Sequence, residues 1–64
     1  MKYKIYYNHN HEGASRIAEF EVESEADLVS SENESIVQQL SLKDSISFGG
    51  SGIGSIRVVS VELI

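Results

Sequence analysis

The sequence predicts a small α+β domain, an antiparallel sheet with one short helix packed on one face, in the order β-β-α-β-β. Two segments in the first half alternate apolar and polar residues with the period of two that a strand requires. A helix-start motif follows them, and a β-branched run closes the sequence. With 64 residues and no internal repeat, residues 1–64 are predicted to form a single domain.

The first two strands are predicted to form a hairpin. Apolar side chains of strand one fall on alternate positions: Tyr3, Ile5 and Tyr7. Strand two covers Ser15 to Ser24 and alternates in the same way. We therefore expect Tyr3 and Tyr7 to pack in the core, with their hydroxyl groups at its edge.

The register of this hairpin follows from matching the two faces. With Tyr3 opposite Phe20, the apolar residues share one face, and a slip of one residue would mix the faces. The outer face then pairs Lys2 with Glu21, Lys4 with Glu19 and Tyr6 with Ile17. This register leaves a four-residue loop, Asn10–Gly13, which is a common hairpin length.

A short helix is predicted from Ser31 to Ser41. The residues Ser31-Glu32-Asn33-Glu34 have capping-box spacing, in which the serine oxygen accepts from an amide and the glutamate reaches back. Apolar residues then follow at helical spacing: Ile36, Val37 and Leu40. A helix of this length needs the sheet for its stability.

Two further strands complete the predicted sheet. The third, Ser45–Phe48, is short, and the fourth, Ile56–Ile64, is rich in β-branched residues. The glycine-rich segment Gly49–Gly54 connects them. Leu28 and Val29 fit either the end of the second strand or an extra helical turn, and the sequence leaves both readings open.

Composition limits the classes of function. A formal charge of -5 on 7.1 kDa opposes direct binding to nucleic acid or to an anionic membrane, and it favours a basic partner. Because cysteine is absent, neither a disulfide nor a thiolate metal site is expected, and a cytoplasmic location fits. No apolar run approaches the roughly 20 residues that span a bilayer, and the first residues do not resemble a signal peptide.

Carboxylates occupy every odd position of one stretch: Glu19, Glu21, Glu23, Glu25 and Asp27. In the predicted register Lys4 and Lys2 lie opposite the first two and offset their charge. The other three, together with the acids of the helix start, make residues 23–34 an uncompensated acidic region. We predict that a basic partner binds there, through these residues: Glu23, Glu25, Asp27, Glu32 and Glu34, with Tyr6 as a contact anchor.

Structural explanations for the same residues stay open. A solvated acidic face keeps a small protein soluble without binding anything. Glu32 and Glu34 would complement the helix dipole in the first turn of the predicted helix. Tyr6 has an alternative role in covering Ile17.

No cofactor, metal or catalytic site is expected. His9, His11 and Glu12 offer ligand atoms close together, but a metal site needs three or four ligands and the chain has no further His or Cys. The glycine-rich segment lacks the ending of a phosphate loop, and a strand follows it where a helix would be needed. No nucleophile has a recognisable base, so the chain is predicted not to be an enzyme.

The segment Ser31–Val37 resembles the start of a helix in small acidic type II-A anti-CRISPR proteins of phage and prophage origin. The resemblance covers seven of the 64 residues. It implies a phage-encoded inhibitor that binds a type II CRISPR effector nuclease in the bacterial cytoplasm. Such an inhibitor would occupy the basic cleft that reads the short target-adjacent duplex motif, where carboxylates compete with DNA.

Two hypotheses of different classes follow. The first is a small acidic inhibitor that blocks target DNA binding by acidic DNA mimicry. The second is a non-enzymatic structural or accessory protein that assembles through a sheet edge, for which the apolar residues Val58 to Ile64 are suited. A homodimer formed through that strand is compatible with either hypothesis.

Overall fold

A computed structural model describes residues 1–11, 13–46 and 56–64 of the chain. It contains strands β1 (Lys2–His11), β2 (Ala14–Glu23) and β3 (Ile56–Leu63), a 3-10 helix (Ser31–Asn33) and helix α1 (Glu34–Ile46). The strands form one antiparallel sheet in the order β2-β1-β3. The small α+β class is confirmed, with three strands in the described ranges where four were predicted. Neither of the described helices is long and apolar enough to cross a membrane.

The central strand, β1, has two different faces. Its core face carries four buried side chains: Tyr3, Ile5, Tyr7 and His9. Its outer face carries the polar side chains and one tyrosine: Lys2, Lys4, Tyr6 and Asn8. The prediction that the alternate apolar positions of strand one form the core is confirmed.

The β1–β2 register differs by two residues from the predicted one. Tyr3 lies opposite Val22 and not Phe20, and Tyr6 lies opposite Glu19 and not Ile17. A shift of two keeps every side chain on its face, so alternation alone could not distinguish the two registers.

The hairpin loop fixes the register. Asn10 pairs with Ser15 and His11 pairs with Ala14, so the strand pairing continues into the predicted four-residue loop Asn10–Gly13, and that prediction is wrong. Gly13 has a φ of 81°, a value that tight hairpin turns require and that glycine adopts without steric cost.

The N-cap residue of the helical region lies one residue before the predicted capping box. Ser30 is the N-cap, with extended backbone angles, and its Oγ accepts from the Glu32 amide at 3.3 Å. The segment Ser31–Asn33 is a 3-10 turn, and the α-helix starts at Glu34. Because Ser31 already has helical geometry, it cannot serve as the N-cap residue, and the predicted box is wrong.

Helix α1 continues to Ile46, past the predicted end at Ser41. Ser45 and Ile46 are therefore helical, and the third strand predicted at Ser45–Phe48 is wrong for these two residues. Residues 47 and 48, and the glycine-rich segment Gly49–Gly54, lie outside the described residues.

Small side chains continue the buried stripe of α1 to its last turn. Its buried residues are four apart: Val37, Ser41 and Ser45. The Ser41 hydroxyl donates to the Val37 carbonyl at 2.9 Å, and the Ser45 hydroxyl donates to the Leu42 carbonyl at 2.7 Å. Each serine thus satisfies its own polar group inside the helix, so the helix can pack against the sheet along this stripe.

The core lies between the sheet and α1. Tyr3, Ile5, Leu28 and Val37 form its buried cluster, and partly buried residues of β2, β3 and α1, together with Ala26, surround it. Leu28 lies in neither a strand nor a helix: the segment between β2 and the 3-10 helix turns it into the core, whereas Val29 remains 57% exposed.

Strand β3 is interrupted by a β-bulge. Tyr6 lies opposite Ser60 and Tyr7 lies opposite Val58, so the register shifts between the two pairs and Val59 is the extra residue. The strand covers most of the fourth strand predicted over Ile56–Ile64, and that prediction is confirmed.

Candidate acidic interaction site

The chain between β2 and α1, residues 24–34, is held by local hydrogen bonds, and we call it the acidic segment. The Ser24 hydroxyl bonds with the backbone of Ala26, accepting from its amide at 3.1 Å. Asp27 accepts from the Val29 amide at 3.1 Å through Oδ1, and its carbonyl accepts from the Asn33 side chain at 2.8 Å. These bonds give an irregular segment a defined path.

Four carboxylates of the acidic segment are exposed: Glu25, Asp27, Glu32 and Glu34. None of them lies within 4.0 Å of a cation belonging to the described ranges. The sequence has no Lys or Arg between Arg16 and Lys43, so the acidic segment itself contains no basic side chain. The structure thus brings these four predicted site residues onto one short segment, and none of them forms an ion pair with another described residue.

Asp27 and Glu34 also have structural roles. The Asp27 side chain closes a turn by accepting from the Val29 amide. Glu34 lies in the first turn of α1, where a carboxylate stabilises the helix dipole. Glu25 makes no such bond in the described part of the structure, and its side chain is free for a partner.

The negative charge of Glu23 was predicted to have no nearby cation, but the structure places one beside it. Its Oε1 lies 3.0 Å from the amino group of Met1, and this amino group also donates to the Ser24 carbonyl at 3.1 Å. Sequence reasoning missed this cation because it considered only basic side chains. An exposed ion pair of this kind is weak, but it offsets the charge of Glu23.

Two carboxylates of the outer face are paired with lysines. Lys2 Nζ lies 3.0 Å from Glu21, and Lys4 Nζ lies 3.7 Å from Glu19. These are the predicted partners, although the register places Glu21 and Glu23 directly opposite these lysines, so the contacts are diagonal. Glu19 also raises the pKa of Lys4.

Tyr6 is separated from the acidic segment. It lies opposite Glu19 on the outer face, and Lys4 Nζ is 5.7 Å from the centre of its ring. Four strand residues, about 14 Å, separate the Glu19 position from Glu23. Tyr6 therefore does not join the carboxylates in one contact patch.

The structure shows a buried polar contact that sequence reasoning did not find. The Tyr7 hydroxyl donates to Asp44 Oδ2 at 2.5 Å, which joins the core face of β1 to the last turns of α1. Burial, followed by this hydrogen bond, raises the pKa of Tyr7 well above its usual range. The buried His9 lies on the same face of β1. The described residues include no group of three possible metal ligands.

An open groove of about 560 Å³ follows the edge of β3. Its lining combines side chains of the acidic segment and α1 with most of β3. The exposed apolar residues Val29 and Val59 line the groove, and the charged residues Glu34 and Arg57 also contribute to it. Sequence reasoning indicated the apolar strand but not the groove.

Comparison with protein-family models, with curated proteins and with solved structures found no match for this chain.

Proposed function

We propose that this chain is a small acidic inhibitor that binds a basic nucleic-acid-binding protein and prevents nucleic acid from binding to it. One observation carries the proposal: four exposed carboxylates, none in an ion pair with another residue that the structure describes, lie on a single hydrogen-bonded segment between β2 and α1. These are Glu25, Asp27, Glu32 and Glu34.

The chemistry of this segment suits competition with phosphate. Lys and Arg side chains that bind phosphate also bind carboxylates, Arg often through two parallel hydrogen bonds. Because the segment is already ordered by its own hydrogen bonds, less conformational freedom is lost on binding. The net charge of -5 adds long-range attraction toward a basic cleft.

A type II CRISPR effector nuclease is the proposed partner. This choice rests on the resemblance of Ser31–Val37 to the anti-CRISPR proteins. In this fold the segment comprises the 3-10 helix and the start of α1, and it presents Glu32 and Glu34. The arginines that such a nuclease uses to read its short duplex motif are suitable partners for these carboxylates.

Two double variants, each of which replaces two glutamates by glutamines, test this mechanism. Glu25→Gln with Glu32→Gln removes two unpaired carboxylates, and Glu19→Gln with Glu21→Gln removes two lysine-paired ones. Each double variant changes the formal charge from -5 to -3. With about 1 kcal/mol lost for each contacted carboxylate, we expect the first variant to inhibit about 30-fold less well and the second to change little.

The measurement is inhibition of DNA binding and DNA cleavage by a guide-loaded type II effector nuclease. An equal effect of the two variants would mean that net charge, and not the acidic segment, determines inhibition. If the wild-type chain leaves the nuclease fully active, the nuclease is not the partner.

A second candidate function is a non-enzymatic accessory protein that assembles through a sheet edge. The groove beside β3, with exposed Val29 and Val59 in its lining, favours it. This function needs residues of β3 and does not need Glu25 or Glu32, so the variants above do not affect it.

A further inference from the structure

The outer edge of β3 has no strand partner among the described residues. β1 occupies one side of β3, and the sheet order places β3 at the end of the sheet. Apolar side chains remain exposed along it, with Val59 at 54% and Leu63 at 52%. An edge of this kind is a template for pairing with another strand.

Because of the bulge, core-facing and outer-facing residues are arranged symmetrically about the middle of β3. Before the bulge, Ile56 and Val58 lie opposite His9 and Tyr7 and therefore face the core. After the bulge, Val61 and Leu63 lie opposite Ile5 and Tyr3 and also face the core.

The outer-face residues have the same symmetry. Arg57 lies opposite Asn8, and Glu62 lies opposite Lys4, so both charges are on the outer face of the sheet. If Val59 were part of a regular strand and not of a bulge, one half of β3 would have its core-facing and outer-facing positions exchanged. The order of faces along β3 thus reads the same from either end.

Antiparallel pairing of β3 with a second copy of itself matches both faces and charges. A register with Arg57 opposite Glu62 of the partner subunit places Val58 opposite the partner's Val61. Ile56 then lies opposite the partner's Leu63, so apolar side chains meet on the core face. The two-fold axis repeats the Arg57–Glu62 pair, and opposite charges directly across a strand pair are stabilising.

We propose that β3 is a homodimerisation edge, through which two chains form one continuous sheet of six antiparallel strands. The partner proposed for the β3 edge is a second copy of this chain, because the edge is complementary to itself in charge and in face. The groove between the acidic segment and β3 runs along the same edge and is enclosed by the second copy.

Dimerisation goes beyond the proposed inhibition and does not depend on it. A standard stable interface removes about 800 Å² from each partner, about a fifth of the 4295 Å² surface of this chain. In the proposed dimer, surface on one side of each chain is buried both by the strand pairing and by the closure of the groove. A dimer would carry two acidic segments and could contact two basic surfaces at once.

Charge reversal tests the register. Arg57→Glu sets two carboxylates opposite each other at both repeats, and Glu62→Arg sets two cations opposite each other. We expect each variant alone to be a monomer at concentrations where the wild-type chain is a dimer, with the dimer dissociation constant raised about tenfold or more, which corresponds to about 1.4 kcal/mol. An equimolar mixture of the two variants restores both opposite-charge pairs and is expected to form a heterodimer.

The measurement is sedimentation velocity of the chain without partner, from about 1 µM to about 1 mM. Lys43→Glu is the matched control, because Lys43 is exposed on α1 and its reversal changes the net charge as Arg57→Glu does. Circular dichroism checks that each variant is folded, since Glu62 also lies opposite Lys4 in its own chain.

A wild-type chain that stays monomeric at every concentration would overturn the proposal. So would a dimer that both reversals leave intact, or a mixture of the two variants that stays monomeric while each variant is folded. Because sedimentation measures the mass of the chain without any nuclease, a failure of the dimer proposal is distinguishable from a failure of the inhibition proposed above.

Discussion

Tyr7 combines full burial with a hydrogen bond to a carboxylate. Its ring lies on the core face of β1, 5.9 Å from the ring of Phe20, and its hydroxyl donates to Asp44. Ionisation of this hydroxyl inside the fold would place a negative charge in a desolvated site beside another negative charge. The protonated form is therefore stabilised by folding.

We predict a loss of stability at high pH that depends on Tyr7. Its pKa is raised in the folded state, so its contribution is complete below the unfolded pKa of about 10. It is lost as the pH rises from there toward the folded pKa, at up to about 1.4 kcal/mol per pH unit. Chemical denaturation of the wild-type chain and of Tyr7→Phe, at neutral pH and above pH 10, measures this contribution.

The Tyr7→Phe variant removes this ionisation and leaves the other tyrosines and the lysines to titrate. The difference between the two chains should therefore shrink as the pH rises above about 10. A constant difference at every pH would show that Tyr7 titrates normally.

Residue burial was predictable from the sequence where alternation was strong. The core positions Tyr3, Ile5 and Tyr7 followed directly from it. The contact between Tyr7 and Asp44 did not, because it depends on how α1 lies across the sheet and the two residues are 37 apart in sequence. Ser41 and Ser45 were missed because small polar residues carry no apolar signal, although their spacing from Val37 matches one helical face.

At the scale of elements, turns and caps determine what periodicity leaves open. Alternation predicted that β1 and β2 pair with matching faces, and the turn at Gly13 selected one of two equivalent registers. The capping-box pattern predicted Ser31 as the capping residue, and the backbone geometry makes Ser30 the N-cap instead. The length of α1 was underestimated because the apolar stripe used for the prediction ended at Leu40.

We predict that Ser30, and not Ser31, stabilises the start of the helical region. Ser30→Ala removes the acceptor of the Glu32 amide and should lower the free energy of unfolding by about 1 kcal/mol. Ser31→Ala is the matched control and should change it by less than about 0.5 kcal/mol, as an exposed position does. Urea denaturation of both variants measures the difference, and a larger loss for Ser31→Ala would support the predicted capping box instead.

For the whole molecule, charge is distributed unevenly between two regions. The outer face of the hairpin alternates lysines with glutamates, and the acidic segment has carboxylates alone. The sequence predicted this uneven distribution of charge, except at Glu23. A register error of two residues does not change which residues are charged or which face of the sheet they occupy. The position of Tyr6 relative to the acidic segment could not be obtained in this way, since it depends on the register itself.

Salt should act in opposite directions on folding and on binding. Screening weakens repulsion within a chain of charge -5, so added sodium chloride is expected to raise the free energy of unfolding modestly. The same screening should weaken attraction to a basic partner. Denaturation at several salt concentrations, for the wild-type chain and for Glu25→Gln with Glu32→Gln, measures the folding effect. A salt response as large in the double variant would show that the repulsion arises elsewhere.

The position of β1 between β2 and β3 also sets the order in which the chain can fold. β1 and β2 are neighbours in sequence and can pair as soon as both exist, within the microseconds typical of a hairpin. β3 joins β1 from the far end of the described chain, with Tyr3 opposite Leu63 and the Ile64 amide donating to the Lys2 carbonyl at 2.9 Å. Pairing between residues so far apart in sequence is slow. Because β3 is also synthesised after β1 and β2, the edge of β1 that β3 will cover stays unpaired until then.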